Sequence, residues 1–358
     1  MAIAFHRLRV TDVRRETPDA VSVAFAVPPD LAEDYRFTPG QHLTLRTVFD
    51  ADECRRSYSI CTAPNDGELR VAVKRVEGGR FSTWINDALK AGDLIDVMTP
   101  QGRFGITATH DARRNYLAIA AGSGITPVMS LARTLLAREE DATFTLLYGN
   151  RTSQSIIFKD ALDDMKDRFL DRFTVHHVLS REQQELALLN GRIDASKVNA
   201  VVDAMGGPQA VDHVFLCGPG GMIEDSKAAL LARGLPAASL HIEYFSTDGA
   251  PVVPKAQAVE NLDFTPSATA QITLNGVVSI VPMRQGETII DAGIRQGLDI
   301  PYACRGGMCC TCRAMLVDGE VRMDMNYSLE PWEIEAGYVL TCQAHPVTPR
   351  VTVDYDQM

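Results

Sequence analysis

The stretch PYACRGGMCCTC (residues 301–312) places four of the chain's eight cysteines between Cys304 and Cys312, and Cys342 follows thirty residues after the last of them. Taking Cys304, Cys309, Cys312 and Cys342 gives C-x4-C-x2-C with a distant fourth cysteine, the spacing of a plant-type [2Fe–2S] cluster. Three thiolates on one tight loop must wrap two irons, so backbone N–H groups have to turn toward the anionic sulfurs, and Gly306 and Gly307 permit this. A structural zinc is the alternative. It takes paired C-x2-C knuckles, whereas here a single knuckle follows a five-residue step. Cys310 falls outside the ligand pattern.

Upstream of this unit, residues 247–268 (TDGAPVVPKAQAVENLDFTPSA) hold three prolines and show no amphipathic period, which reads as a linker. Residues 111–246 alternate apolar strand candidates, YLAIA (116–120), FTLLYG (144–149), FTVHHVLS (173–180) and HVFLCG (213–218), with helical segments at 127–139, 155–169 and 220–233. Such alternation predicts a parallel sheet with crossover helices. Residues 1–110 instead show short alternating runs such as LRVAVKRV (69–76), separated by Pro39-Gly40, Asn65-Asp66-Gly67 and Gly78-Gly79. They predict antiparallel strands closing a small barrel.

Gly122-Ser-Gly124-Ile-Thr126-Pro127 joins the first parallel strand to its helix, where glycines let the backbone approach a pyrophosphate and the helix N-terminus offers N–H groups. A third glycine and an acidic residue ending the second strand, both part of the ordinary dinucleotide fingerprint, are absent. Arg151, Arg181 and Arg192 stand near the ends of the next strands, an arrangement suited to a 2′-phosphate and thus to NADPH over NADH. Solvated surface arginines are the plainer reading of the same residues. In the barrel block, Arg56-Ser57-Tyr58-Ser59 and Gly78-Gly79-Arg-Phe81-Ser82 could serve a flavin dinucleotide. The arginine would meet its pyrophosphate, the tyrosine its ring face, and the second loop its phosphate oxygens.

Composition narrows the classes further. With 35 Lys and Arg against 46 Asp and Glu, the net charge of −11 argues against nucleic-acid binding. The N-terminus lacks the apolar run of a signal peptide, and no stretch approaches the roughly 20 apolar residues of a bilayer span. Clustered cysteines suit a reducing compartment, so the reading is a cytoplasmic chain with no membrane partner. The eight histidines show no ligand-spaced cluster.

R-x-Y-S, G-G-x-x-S, G-x-G-x-x-P and Cys217-Gly218-Pro219, in this order, resemble the ferredoxin–NADP reductase family, and the cysteine block resembles a plant-type ferredoxin fused behind it. Longer segments, FTPGQHLTL (37–45), YGNRTSQS (148–155), PYACRGGMCCTC (301–312) and NYSLEPWEIEAGYVLTCQAHP (326–346), resemble the reductase components of bacterial phenylacetyl-CoA epoxidases. The resemblance implies a multidomain α+β and α/β chain. An antiparallel FAD-binding β-barrel (1–110), a parallel α/β NADP-binding domain (111–246) and a β-grasp [2Fe–2S] ferredoxin domain (269–358) would follow one another.

Carried over by position, the resemblance implies FAD contacts at Arg56, Ser57, Tyr58, Ser59, Val73, Lys74, Gly79, Phe81, Ser82 and Phe245. For NADPH it implies Gly122 and Thr126 at the diphosphate and Ser180, Arg151, Arg181 and Arg192 at the adenosine end. Cys217, Gly218 and Met222 would lie near the nicotinamide. Ser59, Cys217 and Glu243 would stand at the reacting ring edges. The implied activity carries electrons from NADPH through FAD and the [2Fe–2S] cluster to a separate diiron oxygenase, because a donor of electron pairs and a one-electron centre need a flavin between them. The reductase of another multicomponent oxygenase or hydroxylase, and a redox-sensing protein, are the competing readings.

Overall fold

The computed structural model describes residues 3–109, 113–246 and 267–357, so the linker assignment lies outside the described residues except at its last two positions, where Ala268 already begins a strand. Two compact units divide the described residues: most of those up to 246 form the larger, and those from 267 onward the smaller.

The larger unit begins with six strands ordered Asp52–Ser59, His42–Phe49, Leu94–Met98, Phe5–Thr17, Ala20–Ala26 and Leu69–Lys74. An antiparallel bridge between Ile60 and Val71 joins the first strand's end to the last strand, closing the barrel. Its interior is filled by the alternate residues of each strand, among them Leu8, Val10, Val21, Val23, Leu43, Leu45, Val71 and Val73. Strand Ala20–Ala26 is buried on both faces, because its outward Ala20, together with Cys61 and Ala72, packs into the core of the neighbouring nucleotide domain. Small residues here let the helix Ile125–Arg138 lie close against the barrel. Ser130 Oγ donates to the Thr62 carbonyl at 2.6 Å, and Arg133 pairs with Asp66 at 2.7 Å.

The nucleotide domain is a five-stranded parallel sheet ordered Leu240–Ser246, His213–Pro219, Asn115–Ala121, Thr143–Asn150 and Phe173–Leu179. Its apolar runs are continuous because both faces are covered. Helices Ile125–Arg138 and Lys159–Arg168 pack in one core, and Ala195–Ala204 and Gly220–Ala232 in the other. Two elements escaped the sequence reading, the helix Ala195–Ala204 and the strand Leu240–Ser246. The helix expected from 155 begins only at Lys159. Ile156 is extended and Phe158 takes φ +63°, which keeps residues 155–158 out of the helix.

The smaller unit pairs strands Val277–Met283, Ala268–Leu274, Arg350–Asp354, Arg313–Asp318 and Tyr338–Leu340 in a mixed sheet. Ala268–Leu274 runs parallel to Arg350–Asp354 and antiparallel to Val277–Met283. Helix Ile289–Arg295 covers the sheet through Ile289, Ile290 and Ala292, and a short ladder, Val321–Met323 with Ala344–Pro346, follows the cysteine loop. No helix among the described residues is long and apolar enough to cross a membrane.

Candidate cofactor sites

The four cysteines of the spacing argument converge, and Cys304 and Cys309 are hydrogen-bonded to each other, as are Cys312 and Cys342. The loop that carries them leaves ordinary backbone space three times, at Arg305 (φ +53°), Gly307 (φ +74°) and Cys310 (φ +53°). Gly307 has no alternative: a Cβ there would lie 2.9 Å from the Met325 carbonyl oxygen. These turns aim amides at sulfur. Gly306 N–H donates to Cys304 Sγ at 3.3 Å, and the Gly307 amide bonds to Cys342. The Cys304 thiol is held at about 7, chiefly by its bond with Cys309, while the partner thiol and burial push Cys309 well up.

Two thiol pairs cradled by backbone donors fit a two-iron centre, with one pair available to each iron. A single zinc would draw all four sulfurs to one point, whereas here they stand as two pairs, Cys304 with Cys309 and Cys312 with Cys342. Cys310 turns elsewhere, its thiol hydrogen-bonding with Ser328 and pushed up to about 12 by burial.

At the junction of barrel and nucleotide domain the structure brings Ser59, Glu243 and Cys217 together. Ser59 Oγ donates to Glu243 Oε2 at 3.4 Å, and Cys217 is the in-register neighbour of Glu243 on the adjacent strand. Cys217 is fully buried, and burial together with the Glu243 carboxylate raises its thiol well above the usual range. Gly124 touches the same strand end. A Cβ there would fall 2.1 Å from the Cys217 carbonyl oxygen, so the G-x-G turn and the Cys217 strand abut as only glycine allows.

Several expected residues meet constraints that their sequence context did not reveal. Gly79 and the residues after it do not form an open phosphate loop. Gly79 precedes the helix Arg80–Asp87, and Ser82 Oγ accepts from the Val76 N–H at 3.0 Å while donating to the Gly79 carbonyl at 3.3 Å. Phe81 and Val73 are buried in the barrel core, so neither side chain is offered to a ligand; Asn86, unremarked in the sequence, ties the strand to the helix by donating to the Val73 and Ser82 carbonyls. Tyr58 is half-buried with its ring 6.1 Å from that of Phe81. Arg56 is exposed, and its guanidinium donates to the Arg55 carbonyl at 2.7 Å. Thr126 is buried and donates its hydroxyl to the Ser123 carbonyl at 2.9 Å, while Gly122 takes φ +54° beside the Lys74 ammonium. Met222 packs against Gly218, and Phe245 is exposed.

Arg151, Ser180, Arg181 and Arg192 are exposed on adjoining loops at the carboxyl ends of the second and third parallel strands. The Arg181 N–H donates to the Arg151 carbonyl at 2.8 Å and the Gly191 N–H to the Leu179 carbonyl at 2.9 Å, which stitches the three loops together. Among the described residues none of these three guanidinium groups is paired with a carboxylate, whereas many arginines of the barrel are.

A barrel, a nucleotide-binding sheet and a four-thiol loop define an oxidoreductase that uses a flavin, a pyridine nucleotide and an iron–sulfur centre. Residues 7–106 match the oxidoreductase FAD-binding domain, residues 118–228 the oxidoreductase NAD-binding domain, and residues 272–347 the 2Fe-2S iron-sulfur cluster binding domain. The chain is 46% identical to one of the subunits of 1,2-phenylacetyl-CoA epoxidase of Escherichia coli (strain K12), over 98% of both chains. It is 37% identical to the ferredoxin reductase component of 3-ketosteroid-9-alpha-monooxygenase from Mycolicibacterium smegmatis, over 98% of this chain and 97% of that one. Among solved structures, phthalate dioxygenase reductase shares the fold, with a TM-score of 0.59 over 98% of each chain at 24% identity. The chain belongs to the family of these curated relatives, and in it FAD-binding, NAD-binding and [2Fe–2S] domains follow one another in a single polypeptide.

Proposed function

We propose that the chain is the NADPH-dependent reductase of a multicomponent diiron oxygenase, and that its acceptor is a multisubunit phenylacetyl-CoA epoxidase. The observation carrying this reading is the 46% identity to a phenylacetyl-CoA epoxidase component along 98% of both chains, which takes in all three cofactor domains. The reading divides the chain at 1–110, 111–246 and 269–358. It places the protein in the cytoplasm, a placement supported by eight free cysteines.

When bound, the three groups together turn a two-electron donor into a source of single electrons. The chain's residues hold and align them. Arg56 neutralises the FAD diphosphate, Tyr58 and Phe245 lie at its ring, and Ser57, Val73, Lys74 and Gly79 contribute polar and backbone contacts. Phe81 and Ser82 support those contacts from within the helix they help to start. Gly122 and the helix behind it receive the nucleotide diphosphate, with Thr126 bracing the turn through Ser123. Arg151, Arg181 and Arg192, with Ser180, take the 2′-phosphate. Cys217, Gly218 and Met222 shape the nicotinamide end, where the Glu243 carboxylate holds the Ser59 hydroxyl proton beside the flavin edge. Cys304, Cys309, Cys312 and Cys342 ligate the iron.

Anaerobic titration of the purified protein with NADPH tests the cofactor order, and mixing the reduced protein with purified epoxidase oxygenase subunits tests the acceptor. Flavin and iron–sulfur bands that both bleach, followed by reoxidation on adding those subunits and phenylacetyl-CoA, are expected. Equal efficiency with NADH overturns the choice of donor. Bleaching with no electron delivery to the epoxidase, but with delivery to a ring-hydroxylating oxygenase, overturns the acceptor.

A further inference from the structure

Gln343 follows the distant ligand Cys342 directly and is buried. Its amide nitrogen donates to the Arg305 carbonyl at 2.8 Å and to the Cys342 sulfur at 3.7 Å. Its two N–H groups therefore reach two separate segments, the loop carrying Cys304 and Cys309 and the strand end carrying Cys342. The Arg305 backbone it holds is left-handed at φ +53°, a conformation that a non-glycine residue keeps only when its surroundings fix it. A Cβ at Gly307 would lie 3.5 Å from Gln343 Cγ, so the glutamine stem also lines the underside of the loop. Thr341, the residue before Cys342, donates to the Cys312 carbonyl at 2.9 Å and so holds the second thiol pair.

We propose that Gln343 is a positioning residue for the iron–sulfur centre: it ties the Cys304–Cys309 loop to Cys342 and, by donating to the Cys342 sulfur, raises the reduction potential. The physical reason is that reduction adds negative charge to the sulfurs, and a donor aimed at one of them stabilises the reduced state more than the oxidised one. A neutral amide does this in a buried site without bringing in a second charge. The inference rests on the four-thiol ligand set assigned above.

The test compares the full-length wild type with Gln343→Met, which keeps the length without the donor, and Gln343→Glu, which puts a carboxylate there. Potentials are read by dye-mediated titration of the reduced cluster's paramagnetic signal. Expected is a potential that falls in the order wild type, Met, Glu, with flavin reduction by NADPH unchanged in all three. A Met variant whose retained clusters show the wild-type potential overturns the proposal, even if fewer clusters are retained, since a purely structural role would do only that. Should neither variant hold iron, wild type carrying 15N in its glutamine side chains decides. Nuclear coupling from an amide nitrogen to the reduced cluster supports the contact, and its absence overturns it. A wild type without acid-labile sulfide would instead overturn the cluster assignment itself.

Discussion

The Ser59 hydroxyl, at the end of a barrel strand, lies 3.4 Å from the Glu243 carboxylate on the last strand of the parallel sheet. Two domains of different architecture thus meet here through a polar pair, besides the Ser130–Thr62 and Arg133–Asp66 contacts, and Cys217 stands in register beside it. The pair holds a proton beside the proposed flavin edge and nicotinamide end, so each partner should act through the other. Ser59→Ala and Glu243→Ala are each expected to slow anaerobic flavin reduction by NADPH in stopped flow. The double variant should be slower than either by less than the product, with a coupling of about 0.5–1.5 kcal/mol. Strictly multiplicative effects would separate the two residues.

The cysteine loop predicts its own ligand set. Cys304, Cys309, Cys312 and Cys342 form two hydrogen-bonded pairs, whereas the Cys310 thiol bonds to Ser328. Serine at any of the four paired positions should lower iron content and the visible iron–sulfur bands. Cys310→Ser should leave both as in wild type. Cys310→Gly should do the same and relieve the φ +53° backbone, whose cost for a non-glycine residue is about 1–3 kcal/mol, offset in part by the lost burial of the thiol. Loss of iron in both Cys310 variants would contradict this ligand set.

These two sites differ in how far the sequence announced them. The cysteines proposed as ligands stood out because three of them share one short-range spacing, C-x4-C-x2-C, and the parallel sheet was legible because its strands are continuous apolar runs. Strand Leu240–Ser246 was not: with His241 and Glu243 inside it, it carries no such run, and pairing with His213–Pro219 decides its state. Helix Ala195–Ala204 has a weak apolar stripe and is marked chiefly by its cap, Asp194, which accepts from the Lys197 N–H at 3.0 Å. Residues that act through side-chain direction stayed silent altogether. Nothing in the sequence distinguishes the Ser82 hydroxyl turned back into its own helix from one offered to a phosphate, or the Gln343 amide aimed at sulfur from one facing water.

Arg151 and Arg181 offer a prediction about donor choice. Their backbones are joined at 2.8 Å and, among the described residues, no carboxylate neutralises either guanidinium. A hydrogen bond to a charged group contributes about 1.5–3 kcal/mol, and exposure argues for the lower end. Arg151→Ala and Arg181→Ala are each expected to raise KM for NADPH by about tenfold, with kcat and the NADH parameters nearly unchanged. Equal changes for both nucleotides would show that the arginines do not read the 2′-phosphate.

Acid should loosen the strand that carries Glu243 before it unfolds the sheet. His213 Nδ1 and His241 Nε2 lie 3.1 Å apart, and the His241 ring stacks on Phe215 at 5.0 Å. Burial, and secondarily the His213 ring, hold His241 at about 4, below the ordinary 6.5; burial and then Arg114 lower His213 as well, against the opposing pull of Asp212 and Glu139. A folded-state value below the unfolded one means that folding favours the neutral ring. The stabilisation is therefore complete about a unit above pH 6.5 and is lost as pH falls toward 4, by about 2.5 kcal/mol at most at pH ~4.5. Hydrogen exchange of the amides from 240 to 246 should accelerate over that window more than exchange in Asn115–Ala121, once the intrinsic pH dependence is removed. His241→Phe keeps the ring contact and removes the titrating group, so its exchange should lose most of this extra acid sensitivity. An unchanged pH response in that variant would assign the effect to other groups.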